Sequence, residues 1–131
     1  MSLLEGLRDH YLATYGAHDI TDDDLEGSHV IIESCRGEDA GMIAVTVTGE
    51  AALVRRLYVA PEHRGHGHGA VLVSRALATA RELGARVARA EIATASSDVL
   101  ALASRHGSRP CGPFGAFAHQ TDVLFLEVDV P

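Results

Sequence analysis

An α+β fold with a mixed sheet, an antiparallel meander followed by a βαβ crossover and a C-terminal hairpin, is predicted by three features of this chain. Three strand-like segments between residues 29 and 59 are joined by short glycine-bearing connections, which only antiparallel neighbours can use. An amphipathic helical pattern over 70–83 then separates the third strand from a fourth, so the fourth returns parallel to it. Two apolar segments near the C-terminus close the sheet. The 131 residues are enough for one ordinary core, and no linker, repeat or low-complexity tract divides them, so 1–131 reads as a single domain.

Each element has its own local signal. Ser2 stands as an N-cap with Glu5 at the capping-box offset, and Leu3, Leu4, Leu7, Tyr11, Leu12 and Tyr15 recur at helical spacing until Gly16 stops the helix. Residues 21–24 form an acidic turn. His29–Cys35 reads as a strand, Gly37 to Gly41 as a hairpin loop, and 42–48 as a second strand alternating β-branched with smaller residues. Gly49 and Glu50 make a tight turn into the third strand, Ala51–Val59. In the helix over 70–83, Leu72, Val73, Ala76, Leu77, Ala80 and Leu83 share a face, and Gly84 ends it. Residues 87–94 form the fourth strand. Ser96, Ser97 or Asp98 caps a shorter helix that ends near Gly107. Residues 114–117 and 123–128 are the closing hairpin, entered irregularly because of Pro110 and Pro113.

Composition narrows the function. A formal net charge of −7 opposes broad nucleic-acid binding, which needs phosphate neutralisation. The apolar runs are too short for a membrane helix and the N-terminus lacks a signal-peptide layout, so a soluble cytoplasmic protein is expected. Cys35 and Cys111 have no C-x-x-C spacing and imply neither a disulfide framework nor a cysteine zinc site. Against the acidic background, Arg55, Arg56 and Arg64 gather in sequence beside the most distinctive stretch of the chain, Arg64-Gly65-His66-Gly67-His68-Gly69.

Alternating glycines at a strand-to-helix turn remove side chains where a ligand must approach backbone N–H groups, and the helix N-terminus adds donors and positive potential. The turn therefore suits phosphate. It is not a P-loop, since the chain contains no lysine. Gly65, Gly67 and Ala70 satisfy a dinucleotide fingerprint with Glu91 at the ribose-acid distance. Four residues separate the strand from the first glycine, however, Glu91 lies inside its strand, and the sheet begins antiparallel. His63, His66 and His68 form H-x-x-H-x-H, a spacing that can supply metal ligands. A flexible glycine loop imposes no fixed geometry on the rings, so the histidines read as solvent-facing or as local positive charge, and no metal is assigned.

The segment Leu57-Tyr58-Val59-Ala60-Pro61-Glu62-His63-Arg64-Gly65-His66-Gly67-His68-Gly69 resembles the hallmark of the GNAT superfamily of acyl-CoA-dependent N-acyltransferases. Arg64, Gly67 and Gly69 occupy the defined positions of its [Q/R]-x-x-G-x-[G/A] motif, after a Leu-Tyr-Val-x-Pro approach. The order of elements from about Val30 onward also suits that family's GNAT-like fold. The resemblance implies acetyl-CoA as co-substrate. Arg64, Gly65, His66, Gly67, His68, Gly69 and Ala70 would cradle its pyrophosphate. The backbone of Leu57, Tyr58 and Val59 would lie along its pantetheine arm at a splay between the parallel strands, as a ligand strand added to a sheet. A backbone N–H near the splay would polarise the thioester carbonyl for direct attack by an amine.

The resemblance is weaker at the proton-transfer groups. Aligning on Gly107 puts Ala103 in the place of the family's thiolate-protonating tyrosine, Ser108 in that of a phenylalanine, and Ser96 in that of a cofactor-contacting asparagine. Glu33, Glu50, His63, His106 and His119 are open as bases, Tyr58 reads as packing, and no catalytic residue is assigned. The leading expectation is an N-acetyltransferase acting on a small-molecule or protein amine. The alternatives are a catalytically silent acyl-CoA-binding or protein-interaction module, and a metal- or anion-binding module built on the histidine loop. The acceptor side is either open or completed by a second subunit, as in a homodimer.

Overall fold

The computed structural model describes residues 28–114 and 121–130. The expected first helix, the acidic turn, residues 115–117 of the closing hairpin and His119 lie outside them. The described chain runs β1 (His29–Cys35), β2 (Glu38–Thr48), β3 (Ala51–Val59), a single 3-10 turn (Pro61–His63), α1 (His68–Glu82), β4 (Val87–Ala93), α2 (Ser97–Arg105), β5 (Arg109–Pro110) and β6 (Val123–Asp129). The strands form one mixed sheet in the order β1-β2-β3-β4-β6-β5. No helix among the described residues is long and apolar enough to cross a membrane.

β1 and β3 have the boundaries expected of them, and the intervening hairpin is tighter than expected. Cys35 pairs with Glu38, so the loop is Arg36-Gly37 alone, with φ of 53° and 80°. Two consecutive positive φ values match the type I′ turn whose twist fits a hairpin. The loop expected over 37–41 is thus corrected, because β2 begins at Glu38 and Gly41 lies within the ladder opposite both Glu33 and Val59. An ideal Cβ on Gly41 would come 2.7 Å from the Tyr58 carbonyl oxygen and 2.9 Å from Cδ1 of Leu72. This glycine serves close packing of helix on sheet. Gly41→Ala is expected to cost roughly 1–3 kcal/mol and lower Tm by several degrees in a thermal melt, since backbone cannot yield as a side-chain end can.

Helix α1 lies across β1–β3. Leu72, Ala76, Leu77 and Ala80 pack on Ile31, Ile43, Val45 and Ala52, with Val54, Leu57 and Val59 partly buried at the same core. Ala76 and Ala80 are fully buried and let the helix approach closely. The helix begins at His68, two residues before its expected start, because Gly67 adopts the left-handed cap conformation. Leu83 falls just beyond it and is exposed.

β3 and β4 are parallel, as the crossover requires, yet they pair only from Ala51 to Leu53 against Val87 to Arg89. Beyond this point β3 stays with β2 and β4 stays with β6. The register between β2 and β3 shifts between Met42 and Ala44, where β3 spends an extra residue and Arg56 takes a φ of 60°. Such a bulge bends and twists the strand that carries it. Of the closing hairpin expected over 114–117 and 123–128, only Phe114 and the second strand fall among the described residues. Phe114 is not in a strand, and the described partner that precedes β6 is Arg109–Pro110, paired with Glu127 and Leu126. Proline is acceptable there because β5 is an edge strand.

Candidate active site

The loop after β3 is built by backbone bonds before any ligand is considered. Ala60 N–H donates to the Ala40 carbonyl at 2.8 Å, and His63 N–H donates back to Ala60 at 2.9 Å. Arg64 turns toward the protein: its Nε donates to the Val59 carbonyl at 2.9 Å and its guanidinium stands 5.6 Å from the Tyr58 ring centre. It tethers the loop to the end of β3. Gly65 and Gly67 have φ of 81° and 86°, which side-chain-bearing residues rarely adopt. Gly69 has a different task. It lies in the first turn of α1, where an ideal Cβ would meet Leu102 at 3.4 Å, so it admits α2 alongside.

The backbone N–H groups of residues 65–70 find no acceptor among the described residues; the first bond of the helix is from Val71 to Gly67. The last three belong to the helix terminus, where such donors are always orphaned. Together with the positive end of the α1 dipole they form a ready anion site, with Gly65, His66 and Gly67 exposed beside it.

A cleft lies between β3 and β4 and includes the stretch where their pairing has ended, with Arg55 and Arg56 on one side and Ala90 and Glu91 on the other. It is walled by Leu57, by Val73 and Leu77 of α1, and by Val99, Leu102 and Ala103 of α2. Of the strand residues expected along a ligand arm, Leu57 lines this cleft. Val59 packs on the core and its carbonyl is taken by Arg64, while Tyr58 is buried on the opposite face, in register with Met42. Ser96, Ala103 and Ser108 all line the cleft, so alignment on Gly107 places them at the site and Ala103 brings no hydroxyl to it.

The expected bases are dispersed. Glu33 faces Arg75 at 3.8 Å, Glu50 faces Arg86 at 3.6 Å, and His63 faces Glu38 at 3.4 Å. His106 reaches the cleft, but its Nδ1 donates to the Leu102 carbonyl at 3.0 Å and its Nε2 faces the Ser74 hydroxyl at 3.5 Å. Glu91, weighed in the sequence only as a ribose-binding acid and not among the bases, is an acid that folding brings to the cleft. It lies on β4 beyond the last parallel pair and lines the cleft, and burial raises its pKa above the ordinary carboxylate value despite the opposing charges of Arg55 and Arg56. Its Oε2 is shielded from solvent and has no hydrogen-bond partner among the described residues. The readable signal was a single acid between Ala90 and Ile92 in a strand that is otherwise apolar apart from Arg89.

The fold as a whole is shared with solved acyltransferase structures. A candidate acyl-CoA N-acyltransferase from Klebsiella pneumoniae superposes with a TM-score of 0.80 at 22% identity, over 98% of this chain and 88% of its own. An acetyltransferase of Bacillus subtilis in complex with CoA gives 0.77 at 21% identity, over 100% and 95%. A GNAT family acetyltransferase from Elizabethkingia anophelis with acetyl-CoA bound gives 0.75 at 15% identity, over 90% and 86%. No curated protein sequence matches the chain significantly. The model of the acetyltransferase (GNAT) family matches residues 3–107, and the chain belongs to that family.

Proposed function

We propose that the whole chain acts as one N-acetyltransferase domain, moving an acetyl group from acetyl-CoA to an amine. The observation that carries this is the opening of β3 from β4 on the strand that leads into a loop whose consecutive N–H groups find no acceptor among the described residues. The pyrophosphate sits on residues 65–70, with Arg64 holding the loop. The pantetheine arm follows β3 past Leu57, and the thioester carbonyl lies near the bulge at Arg56, where irregular backbone presents a donor to the developing oxyanion. The amine nitrogen attacks the carbonyl carbon, Glu91 takes its proton, and the C–S bond breaks as the tetrahedral intermediate collapses. The thiolate leaves without a tyrosine acid, and a thiol is acidic enough to do so.

Coenzyme A should raise the Tm of the purified protein, and NAD should not. At a ligand concentration about 100 times Kd the stabilisation is roughly 2.7 kcal/mol. No shift with coenzyme A would remove the assignment. Release of free thiol from acetyl-CoA across a panel of amines then tests turnover. Ala103 at the cleft supports a second reading, a silent acyl-CoA-binding module, which predicts the thermal shift without thiol release.

A further inference from the structure

Sequence spacing drew attention to His63, His66 and His68, but folding groups a different set. Cys35 ends β1, His63 ends the 3-10 turn and His68 begins α1, and one ligand atom from each lies within 4.8 Å of the other two. All three are half-buried, whereas His66 is exposed and outside the group. We propose that Cys35, His63 and His68 bind a zinc-class divalent cation.

Several observations meet here. The His68 Nε2 is shielded from solvent and has no hydrogen-bond partner among the described residues, an arrangement that costs free energy unless something accepts its lone pair or its proton. The His63 and His68 rings meet edge to face, 6.0 Å apart at 85°, and the Cys35 thiol lies within 4.8 Å of a ring nitrogen of each. One thiolate with two neutral imidazoles is a donor set that selects zinc over magnesium or calcium. Tetrahedral zinc places such ligand atoms about 3.4–3.7 Å apart, so closing from 4.8 Å takes only small side-chain rotations. Water or the Glu38 carboxylate, 3.4 Å from Nε2 of His63, completes the shell. An ion at this point ties the β1–β2 hairpin to the turn after β3 and to the first residue of α1. It would brace the loop from behind without using the N–H groups of residues 65–70.

The test uses the intact, reduced, chelator-stripped protein and does not depend on acyl transfer. Zinc competed against a chromophoric chelator should bind at one equivalent, and cobalt(II) should produce a thiolate-to-metal charge-transfer band. Cys35→Ser should abolish that band, and Cys35→Ser, His63→Gln and His68→Gln should each weaken zinc binding by about 100-fold or more. His66→Gln and Cys111→Ser should bind as the parent does. Far-ultraviolet circular dichroism establishes that each variant is folded. The proposal is overturned if the parent binds no zinc, if the band persists in Cys35→Ser, or if folded His68→Gln keeps its affinity. It is equally overturned if Glu38→Gln with Glu62→Gln abolishes binding while Cys35→Ser does not, since the ion would then belong to the acidic group around His63.

Discussion

Gly67→Val should weaken coenzyme A binding by about 100-fold while the protein still folds. Gly67 has φ of 86° and ψ of 6°, and no described atom outside its immediate chain neighbours lies within 4 Å of an ideal Cβ there. A side chain at this point meets strain rather than collision, and left-handed backbone costs an L-residue about 1–2 kcal/mol. That is affordable within the stability of an ordinary domain. The ligand fares worse, because a branched side chain in the middle of the loop would crowd the N–H groups of residues 65–70 that are proposed to hold phosphate. An affinity loss of about 100-fold, or roughly 2.7 kcal/mol, is expected in a calorimetric titration. Gly84→Ala supplies the control. Gly84 has φ of 93° at the far end of α1, so it should lose comparable stability with no change in coenzyme A affinity. Unchanged affinity in Gly67→Val would refute the pyrophosphate assignment.

How far the fold could be read in advance depended on how local its causes were. β1 and β3 are legible because alternation and flanking glycines are written within the segments themselves. Gly41 misled because a glycine that makes room for Leu72 has the same local signature as one that makes a turn. Gly69 belongs to a motif but is held by packing against Leu102, a residue far along the chain. The bulge at Arg56 left no trace, since its positive φ falls on a residue that rarely adopts one. β5 was hidden because its proline argues against a strand unless the edge position is known. The loop of the candidate site was legible from its glycines and its approach strand, but the grouping of Cys35 with His63 and His68 arises only when the hairpin folds against the turn.

Glu91→Gln should reduce kcat by about 100- to 1,000-fold, the usual scale for removing a general base, with the KM for acetyl-CoA little changed. The pH dependence sharpens this. Burial raises the folded pKa of Glu91, and a base must be ionised to accept a proton. In the parent, kcat/KM should therefore climb as pH rises through that raised pKa and then level off; in the glutamine variant this acidic limb should vanish. Stability should move the other way. The folded state binds this proton more tightly than the unfolded chain does, so the protonated form favours folding at low pH. That advantage disappears as pH rises from the unfolded pKa through the folded one. Above this window the ionised side chain is a net cost to the fold, and glutamine at position 91 should leave the protein as stable at neutral pH or more so. A carboxylate kept only for structure predicts the opposite, with activity and Tm falling together. Thermal melts of the variant at acidic and neutral pH, set beside its pH–rate profile, separate the two. An activity lost with stability kept or gained is the mark of strain held at a site for the sake of its chemistry.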